Sequence, residues 1–146
     1  MKNVVETPLA LANGATFAQL RAQLTGPVIG PGEPRYDELR AAWNLTVNQH
    51  PALIVVAESA ADIAAAVRFA GEADLKVAVQ ATGHGVVRPA NDSLLIVTAN
   101  LSNVRVNAAA RTAWIEPGAR WGKVLAQAQA VGLAPLLGSS PDVGAT

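Results

Sequence analysis

The stretch that decides the fold is VAVQATGHGVVRP, residues 77–89, in which an apolar run stops at a turn holding Thr82, Gly83, His84 and Gly85. The apolar run is typical of a β-strand. A turn at the carboxyl end of a parallel strand is the usual ligand site of an open α/β sheet. Glycines permit positive φ and close approach of a ligand, and consecutive amides can form an anion-binding nest. The residues alone leave two interpretations open, a nucleotide-phosphate site and an ordinary tight turn.

The sequence around this turn predicts alternating strands and helices. ALIVVA (52–57) is typical of a buried strand, and Ser59 with Asp62 has the arrangement of a helix capping box. KVAVQ (76–80) is a second strand, so this part of the chain predicts a βαβ unit with a parallel pair of strands. SLLIVT (93–98) is expected to be a third strand.

The flanking segments complete the predicted fold class, which is α+β. Thr16 is expected to cap a first helix, after a flexible arm at residues 1–15. NVRVNAAARTAWIEPG (103–118) predicts a β-hairpin, and a helix is expected from about Trp121 to Val131. The expected architecture is therefore a small βαβ subdomain followed by the start of a second mixed sheet.

Composition excludes several classes of function. The chain has 146 residues, of which 51% are hydrophobic and 15% charged, so it is expected to fold around a core as one domain. Lys and Arg balance Asp and Glu at 11 each with no basic block, which argues against nucleic acid as a partner. There is no cysteine, so disulfides, thiolate metal sites and a cysteine nucleophile are excluded. With no signal peptide and no apolar run of ~18 residues, the sequence predicts a cytoplasmic protein without a membrane span.

The other chemistry-bearing residues give weaker signals. His50 precedes a proline and receives no role, and no carboxylate stands at metal-ligand spacing from it or from His84, so no metal site is expected. His84 is either a solvated turn residue or a ligand-binding one. Ser139 and Ser140 lack the Gly-x-Ser-x-Gly pattern of a nucleophile. The tryptophans are expected to be packing anchors rather than stacking platforms: Trp43, Trp114 and Trp121.

Longer segments carry a resemblance to a known family. KVAVQATGHGVVRPANDSLLIVTANLSNVRVN (76–107) and RTAWIEPGARWGKVLAQAQAVGLAPLLGSSPDVG (111–144) resemble the FAD-binding, PCMH-type domain of the vanillyl-alcohol oxidase superfamily. Within that superfamily they are most similar to the berberine-bridge-enzyme-like oxidoreductases. The similarity begins near YDELRAAWN (36–44), so we expect an N-terminal arm and helix at residues 1–35 and the FAD-binding domain at residues 36–146.

The resemblance implies FAD as cofactor, held by two loops. The first turn would wrap the pyrophosphate with main-chain amides, and His84 would carry a single covalent bond to the flavin 8α-methyl group. The residues implied as flavin contacts are Ala81, Thr82, Gly83, His84 and Gly85 in the first turn and Gly138, Ser139, Ser140, Val143 and Gly144 in the second loop.

Two positions depart from the resembling family. Its usual first turn reads Arg-Ser/Gly-Gly-Gly-His, whereas this chain has Gln80-Ala81-Thr82-Gly83-His84 and so lacks the arginine and one glycine. Some members attach the flavin a second time through a cysteine at the position of Ser140. The chain has no cysteine, so at most one covalent link is expected.

The implied reaction is hydride transfer from an alcohol, a sugar or a related substrate carbon to the flavin, with O2 as the expected acceptor. The chain ends at Thr146 within a Gly/Pro/Ser-rich loop, so we expect a truncated domain whose substrate-binding half and catalytic base lie elsewhere. No catalytic residue is assigned. The alternative is a non-catalytic nucleotide-binding module, or a remnant that needs a partner half.

Overall fold

The computed structural model describes residues 16–136 and 138–145, and the predicted arm at residues 1–15 lies outside them. The elements in chain order are α1 (Phe17–Gln23), β1 (Val28–Ile29), α2 (Tyr36–Arg40), β2 (Leu53–Val56), α3 (Ala60–Glu72), β3 (Lys76–Gln80), β4 (Ser93–Val97), β5 (Val104–Asn107), β6 (Thr112–Ile115) and α4 (Trp121–Gln129). Among the described residues no helix has the length and apolar character that a membrane crossing requires.

The larger sheet has the strand order β1-β2-β4-β3. β2 and β3 are each parallel to β4, and β1 is antiparallel to β2. The strand–helix–strand order was predicted, but the expected pairing of β2 with β3 is wrong because β4 lies between them. Burial explains the order: every residue of β4 is buried, whereas Val77 and Val79 of β3 are 42% and 62% exposed. The fully buried strand occupies the centre, and the partly exposed strand forms the edge.

Apolar side chains cover both faces of this sheet. On one face Leu53 and Ile96 pack with Phe69 of α3 and with Leu20 of α1, which is fully buried. On the other face the strands pack against Tyr36 of α2. The segment before residue 36 therefore contributes to the same core, and the domain boundary at residue 35 stays a prediction.

The start of α3 differs from the predicted capping box. The Ser59 hydroxyl accepts the Asp62 amide at 3.2 Å, as expected of an N-cap. The buried Asp62 carboxylate also accepts main-chain amides beyond the helix, from Thr25 at 2.9 Å, Gly26 at 3.2 Å and Glu58 at 2.9 Å. Burial by itself raises the pKa of Asp62, but these amides outweigh burial, so its pKa lies below the ordinary value. The carboxylate thus joins α3 to the loop before β1.

The second sheet is the predicted hairpin. Within the described residues it consists of β5 and β6 paired antiparallel, with Val104 opposite Ile115. Val124 and Ala128 of α4 are buried, and Val124 forms an apolar cluster with Val104 of the hairpin. Gly118 connects the unit to the larger sheet, because its amide donates to the Leu101 carbonyl at 2.7 Å. The α+β fold class is confirmed.

Candidate functional site

The first turn follows β3, at the carboxyl end of the edge strand that pairs in parallel with β4. Gly83 has a φ of +74°, in the left-handed region that glycine adopts without strain. A Cβ on Gly83 would come within 2.9 Å of the Trp43 nitrogen, and the Gly83 carbonyl accepts that same amide at 3.2 Å. The turn therefore requires glycine at this position, because backbone conformation and packing both exclude a side chain.

The amides of this turn are available to a ligand. The main-chain N–H groups of residues 81–86 donate to no acceptor within residues 16–136 and 138–145. Ala81 and Thr82 are half-buried, and Gly83 is buried. Several unpaired donors in consecutive residues are what a main-chain anion site requires. This arrangement fits a diphosphate without a lysine or an arginine in the turn.

His84 lies on the ring of Trp43. The two ring centroids are 4.3 Å apart and the planes differ by 18°, so the rings are stacked. The His84 Nδ1 atom lies 2.9 Å from the Thr82 hydroxyl oxygen. The expectation that Trp43 is a packing anchor is wrong, since Trp43 is 67% exposed and its ring serves as a platform for the imidazole.

The other two tryptophans differ from each other. Trp121 packs against the buried cluster of the second unit, as expected of a packing anchor. Trp114 is 50% exposed, and the Arg105 guanidinium lies over its ring with Cζ 4.3 Å from the centroid. Trp114 is therefore also a stacking surface rather than a packing anchor, but it lies on β6, away from the first turn.

The second loop reaches the first turn at Gly144. The Gly144 amide donates to the Thr82 hydroxyl oxygen at 3.2 Å, across 62 positions of sequence. The loop is fixed from the other side because Trp121 donates its amide to the Val143 carbonyl at 3.0 Å. The end of the second loop and the first turn are thus one local structure, as the resemblance implied for a two-loop site.

The remaining second-loop candidates lie elsewhere. Gly138 stands against the ring of Trp121, where a Cβ would come within 2.6 Å of Nε1. Ser139 is exposed. The Ser140 hydroxyl accepts the Asp142 amide at 3.3 Å, and its carbonyl accepts the Val143 amide. Gly138 and Ser140 therefore stabilise the second loop through contacts within it and with Trp121. Neither residue lines the cavity described next.

An open cavity of about 600 Å³ lies between the two loops, a volume within the ~300–1,000 Å³ typical of small-molecule sites. His84 and Arg88 are the ionisable side chains among its described lining residues, which include no carboxylate. The lining consists of Gln49, Ala78, Val79, Gln80, Ala81, Thr82, Gly83, His84, Gly85, Val86, Val87, Arg88, Ala90, Leu95, Val143 and Gly144. All five first-turn candidates and two of the five second-loop candidates therefore share one cavity.

Two buried glutamines support the cavity and were not predicted. Gln49 donates from Nε2 to Gln80 Oε1 at 2.7 Å, and its own Oε1 accepts the Ala90 amide at 3.1 Å. Gln80 donates from Nε2 to the Ala41 carbonyl at 3.0 Å. The segment that contains Ala41 and Trp43 is thereby hydrogen-bonded to the end of β3. The sequence did carry one signal for this contact, which is the polar residue Gln80 at the end of an apolar strand. The family that the chain resembles has arginine at this position.

Comparison with known proteins identifies the family. A family model described as an FAD binding domain matches residues 51–145. The chain belongs to this family. (R)-6-hydroxynicotine oxidase of Paenarthrobacter nicotinovorans is 32% identical over 123 residues, which are 83% of this chain and 27% of that protein.

Solved structures of relatives agree with this assignment. BBE-like 1 of Physcomitrella patens matches with a TM-score of 0.77 and 26% identity, over 89% of this chain and 29% of that one. The carbohydrate oxidase of Microdochium nivale matches with a TM-score of 0.76 and 27% identity, over 88% of this chain and 28% of that one. The resemblance to the PCMH-type, berberine-bridge-enzyme-like group is confirmed, and FAD is the cofactor of this domain. The chain spans 27% to 29% of the length of these relatives.

Proposed function

We propose that this chain is the FAD-binding portion of a flavin-dependent oxidoreductase. The observation that carries the proposal is the meeting of the first turn and the end of the second loop on one cavity, through the Thr82–Gly144 hydrogen bond. The free amides of residues 81–86 supply donors for a diphosphate. Gly85 adds room for close approach, since nothing within 4 Å would meet a Cβ there.

His84 is the residue that we propose for a covalent link to the flavin. Its ring lines the cavity, and the stacking on Trp43 supports one face of the imidazole. A tethered cofactor is retained during turnover. Bound FAD would supply a hydride acceptor, while the residues of this chain bind and orient it.

The substrate class is inferred from the relatives. Two of the relatives described above are named for the oxidation of 6-hydroxynicotine and of carbohydrates. We propose an alcohol, sugar or related carbon as hydride donor and O2 as acceptor. Because the chain spans 27% to 29% of these relatives, the substrate is expected to bind only together with the part that corresponds to their remaining length.

The decisive experiment is reconstitution with FAD followed by acid precipitation. The chain is incubated with FAD, precipitated in acid, and the flavin absorbance of the pellet is measured. Covalent attachment predicts flavin in the pellet of the unaltered chain, none for His84→Ala, and an undiminished amount for His50→Ala, because exposed His50 lies outside the cavity lining. Flavin retained by His84→Ala, or lost equally in both variants, would remove His84 from this role.

A second candidate is a non-catalytic nucleotide-binding module. The absence of a carboxylate among the described lining residues favours it, since a general base other than His84 is then lacking on this wall. This candidate predicts reversible FAD binding in equilibrium dialysis and a colourless acid pellet. Both candidates predict that no sugar or amine reduces flavin bound to this chain alone, so the acid pellet is the measurement that separates them.

A further inference from the structure

We infer that Thr82 is a positioning residue for His84, an inference that rests on the proposed function and deepens it. The Thr82 hydroxyl oxygen lies 2.9 Å from His84 Nδ1 and 3.2 Å from the Gly144 nitrogen. One hydroxyl thus contacts both the imidazole and the second loop. A glycine or a valine at this position would supply neither contact.

The donors and acceptors at Thr82 decide how His84 is protonated. A hydroxyl has one proton and two lone pairs. The Gly144 amide occupies one lone pair, because an N–H group can only donate. No acceptor other than His84 Nδ1 receives the Thr82 hydroxyl proton within residues 16–136 and 138–145. The arrangement that gives the Thr82 proton an acceptor among the described residues has Thr82 donating to an unprotonated Nδ1, with the ring proton on Nε2.

The imidazole is therefore held on two sides. Trp43 supports one face of the ring at a centroid distance of 4.3 Å, and Thr82 fixes the rotation of the ring through Nδ1. Trp43 is itself held because its amide donates to the Gly83 carbonyl at 3.2 Å. Rotation of the ring by half a turn would exchange its nitrogen and carbon positions and break the hydrogen bond to Thr82.

This restraint has a chemical consequence for attachment. A histidine reacts as a nucleophile only through an unprotonated ring nitrogen. By donating to Nδ1, Thr82 keeps that nitrogen unprotonated and fixes the direction of its single lone pair. The hydroxyl must release this lone pair before it can bond to carbon, so Thr82 positions the ring before attachment. Attachment would replace a C–H bond of the flavin methyl group and the Nε2–H bond by an Nδ1–C bond, with the two electrons passing to the flavin and then to O2, the acceptor proposed above. Thr82 acts through His84, so its loss should change the state of the ring even before any flavin is added.

The first test reads the ring directly in the flavin-free chain. The ¹⁵N spectrum of the His84 imidazole is recorded at about pH 8.5, above the range in which imidazoles ordinarily titrate. We expect an unprotonated Nδ1 and a protonated Nε2 in the unaltered chain and in Thr82→Ser. We expect a mixture of tautomers in Thr82→Val and Thr82→Ala. Thr112→Val is the control, since Thr112 is exposed on β6 and outside this cavity.

Two outcomes of this test would overturn the inference. One is a protonated Nδ1 in the unaltered chain, and the other is a spectrum of Thr82→Val identical to that of the unaltered chain. Urea unfolding of each variant verifies that the compared chains are folded. If Thr82→Val does not fold, the comparison of Thr82→Ala with Thr82→Ser gives the same answer.

The second test measures attachment. Loss of the hydrogen bonds to His84 and from Gly144 predicts a rate of covalent FAD incorporation at least about fivefold lower in Thr82→Val, with Thr82→Ser within about twofold of the unaltered chain. Unchanged incorporation in Thr82→Val would overturn the positioning role while leaving the proposed function intact. A chain that incorporates no FAD at all would count against the proposed function, and the ¹⁵N spectra would still decide whether Thr82 holds His84.

Discussion

Gly83 and Gly85 flank His84, but the structure places different demands on them. Gly83 has positive φ, and a Cβ there would meet Trp43 and Ala42 at 2.9 and 3.1 Å. Gly85 has open space within 4 Å. We expect Gly83→Ala to lower the free energy of unfolding by about 2–3 kcal/mol, through left-handed strain and the close contact. We expect Gly85→Ala to leave it unchanged or raise it by up to about 1 kcal/mol.

Urea unfolding of Gly83→Ala and Gly85→Ala measures the two free energies of unfolding and so checks both predictions. Equal losses of stability in both variants would contradict the assignment of the strain to Gly83. FAD titration separates packing from binding, because Gly85→Ala adds a methyl group in the open space that we propose for the ligand. That variant should weaken FAD binding even though it folds normally.

Trp43 provides a second prediction at the scale of single residues. Its ring is 67% exposed, so Trp43→Leu should change the free energy of unfolding by no more than about 1.5 kcal/mol. The same substitution removes the platform under His84 and should lower the fraction of covalently bound flavin several-fold. Trp114→Leu is the matched control, since Trp114 is 50% exposed but stacks with Arg105 on the hairpin. Comparable flavin content in the two variants would show that stacking does not matter for attachment.

The residues of the site show how far the sequence could be interpreted. A histidine between two glycines, at the end of an apolar strand, was visible because all of its signals are local. Trp43 and Gln49 lie more than 30 positions before the turn, and only the folded chain brings them to it. Gly138 and Ser140 were implied as flavin contacts by the family resemblance, whereas their contacts within the second loop hold them against the loop itself.

At the scale of elements, the Asp62 carboxylate connects α3 to the loop before β1. Because its pKa is lowered in the folded state, the unfolded chain takes up the proton first as pH falls. The contribution of Asp62 is therefore complete above the ordinary pKa of 3.8 and is lost as pH falls through the lower folded-state pKa. We expect Asp62→Asn to cost about 2 kcal/mol at neutral pH and to flatten the dependence of stability on pH below about pH 4.

Urea unfolding between neutral pH and about pH 2.5 tests this expectation over the acid range in which a lowered carboxyl pKa acts. Asp74→Asn is the control, because Asp74 is exposed and follows α3 in a left-handed conformation that asparagine also tolerates. An Asp62→Asn chain with the full acid sensitivity of the unaltered chain would show that other carboxylates are responsible.

The elements themselves were predicted more completely than their arrangement. Hydrophobic period and capping residues are local, so α1, α3, β2 to β6 and α4 were all expected near their observed positions. Strand order is a property of the whole sheet. β4 lies between β2 and β3 because its four consecutive apolar residues, 94–97, cover both faces of the strand and are buried by neighbours on both sides. Only a comparison of the apolar character of β2, β3 and β4 would have indicated that β4 is the central strand.

At the scale of the whole molecule, the cavity lies where two units of unequal size meet. The larger sheet has apolar clusters on both faces, whereas the cluster under β5, β6 and α4 contains three buried residues, Val104, Ala119 and Val124. The first turn belongs to the larger unit. The second loop is held by α4 through the Trp121–Val143 and Gly122–Pro141 hydrogen bonds. A ligand in the cavity would therefore contact both units at once.

This division predicts an order of opening in hydrogen exchange. Amides of β2 and β4 should be the most protected, and those of β5, β6 and α4 should exchange earlier, because less apolar surface is buried around them. FAD should then slow exchange most at residues 81–86 and 141–145, since a ligand that bridges the two units must be released before they separate. Protection that rises equally across the whole chain would instead indicate one cooperative unit. Protection confined to the first turn would indicate that the second loop takes no part in binding.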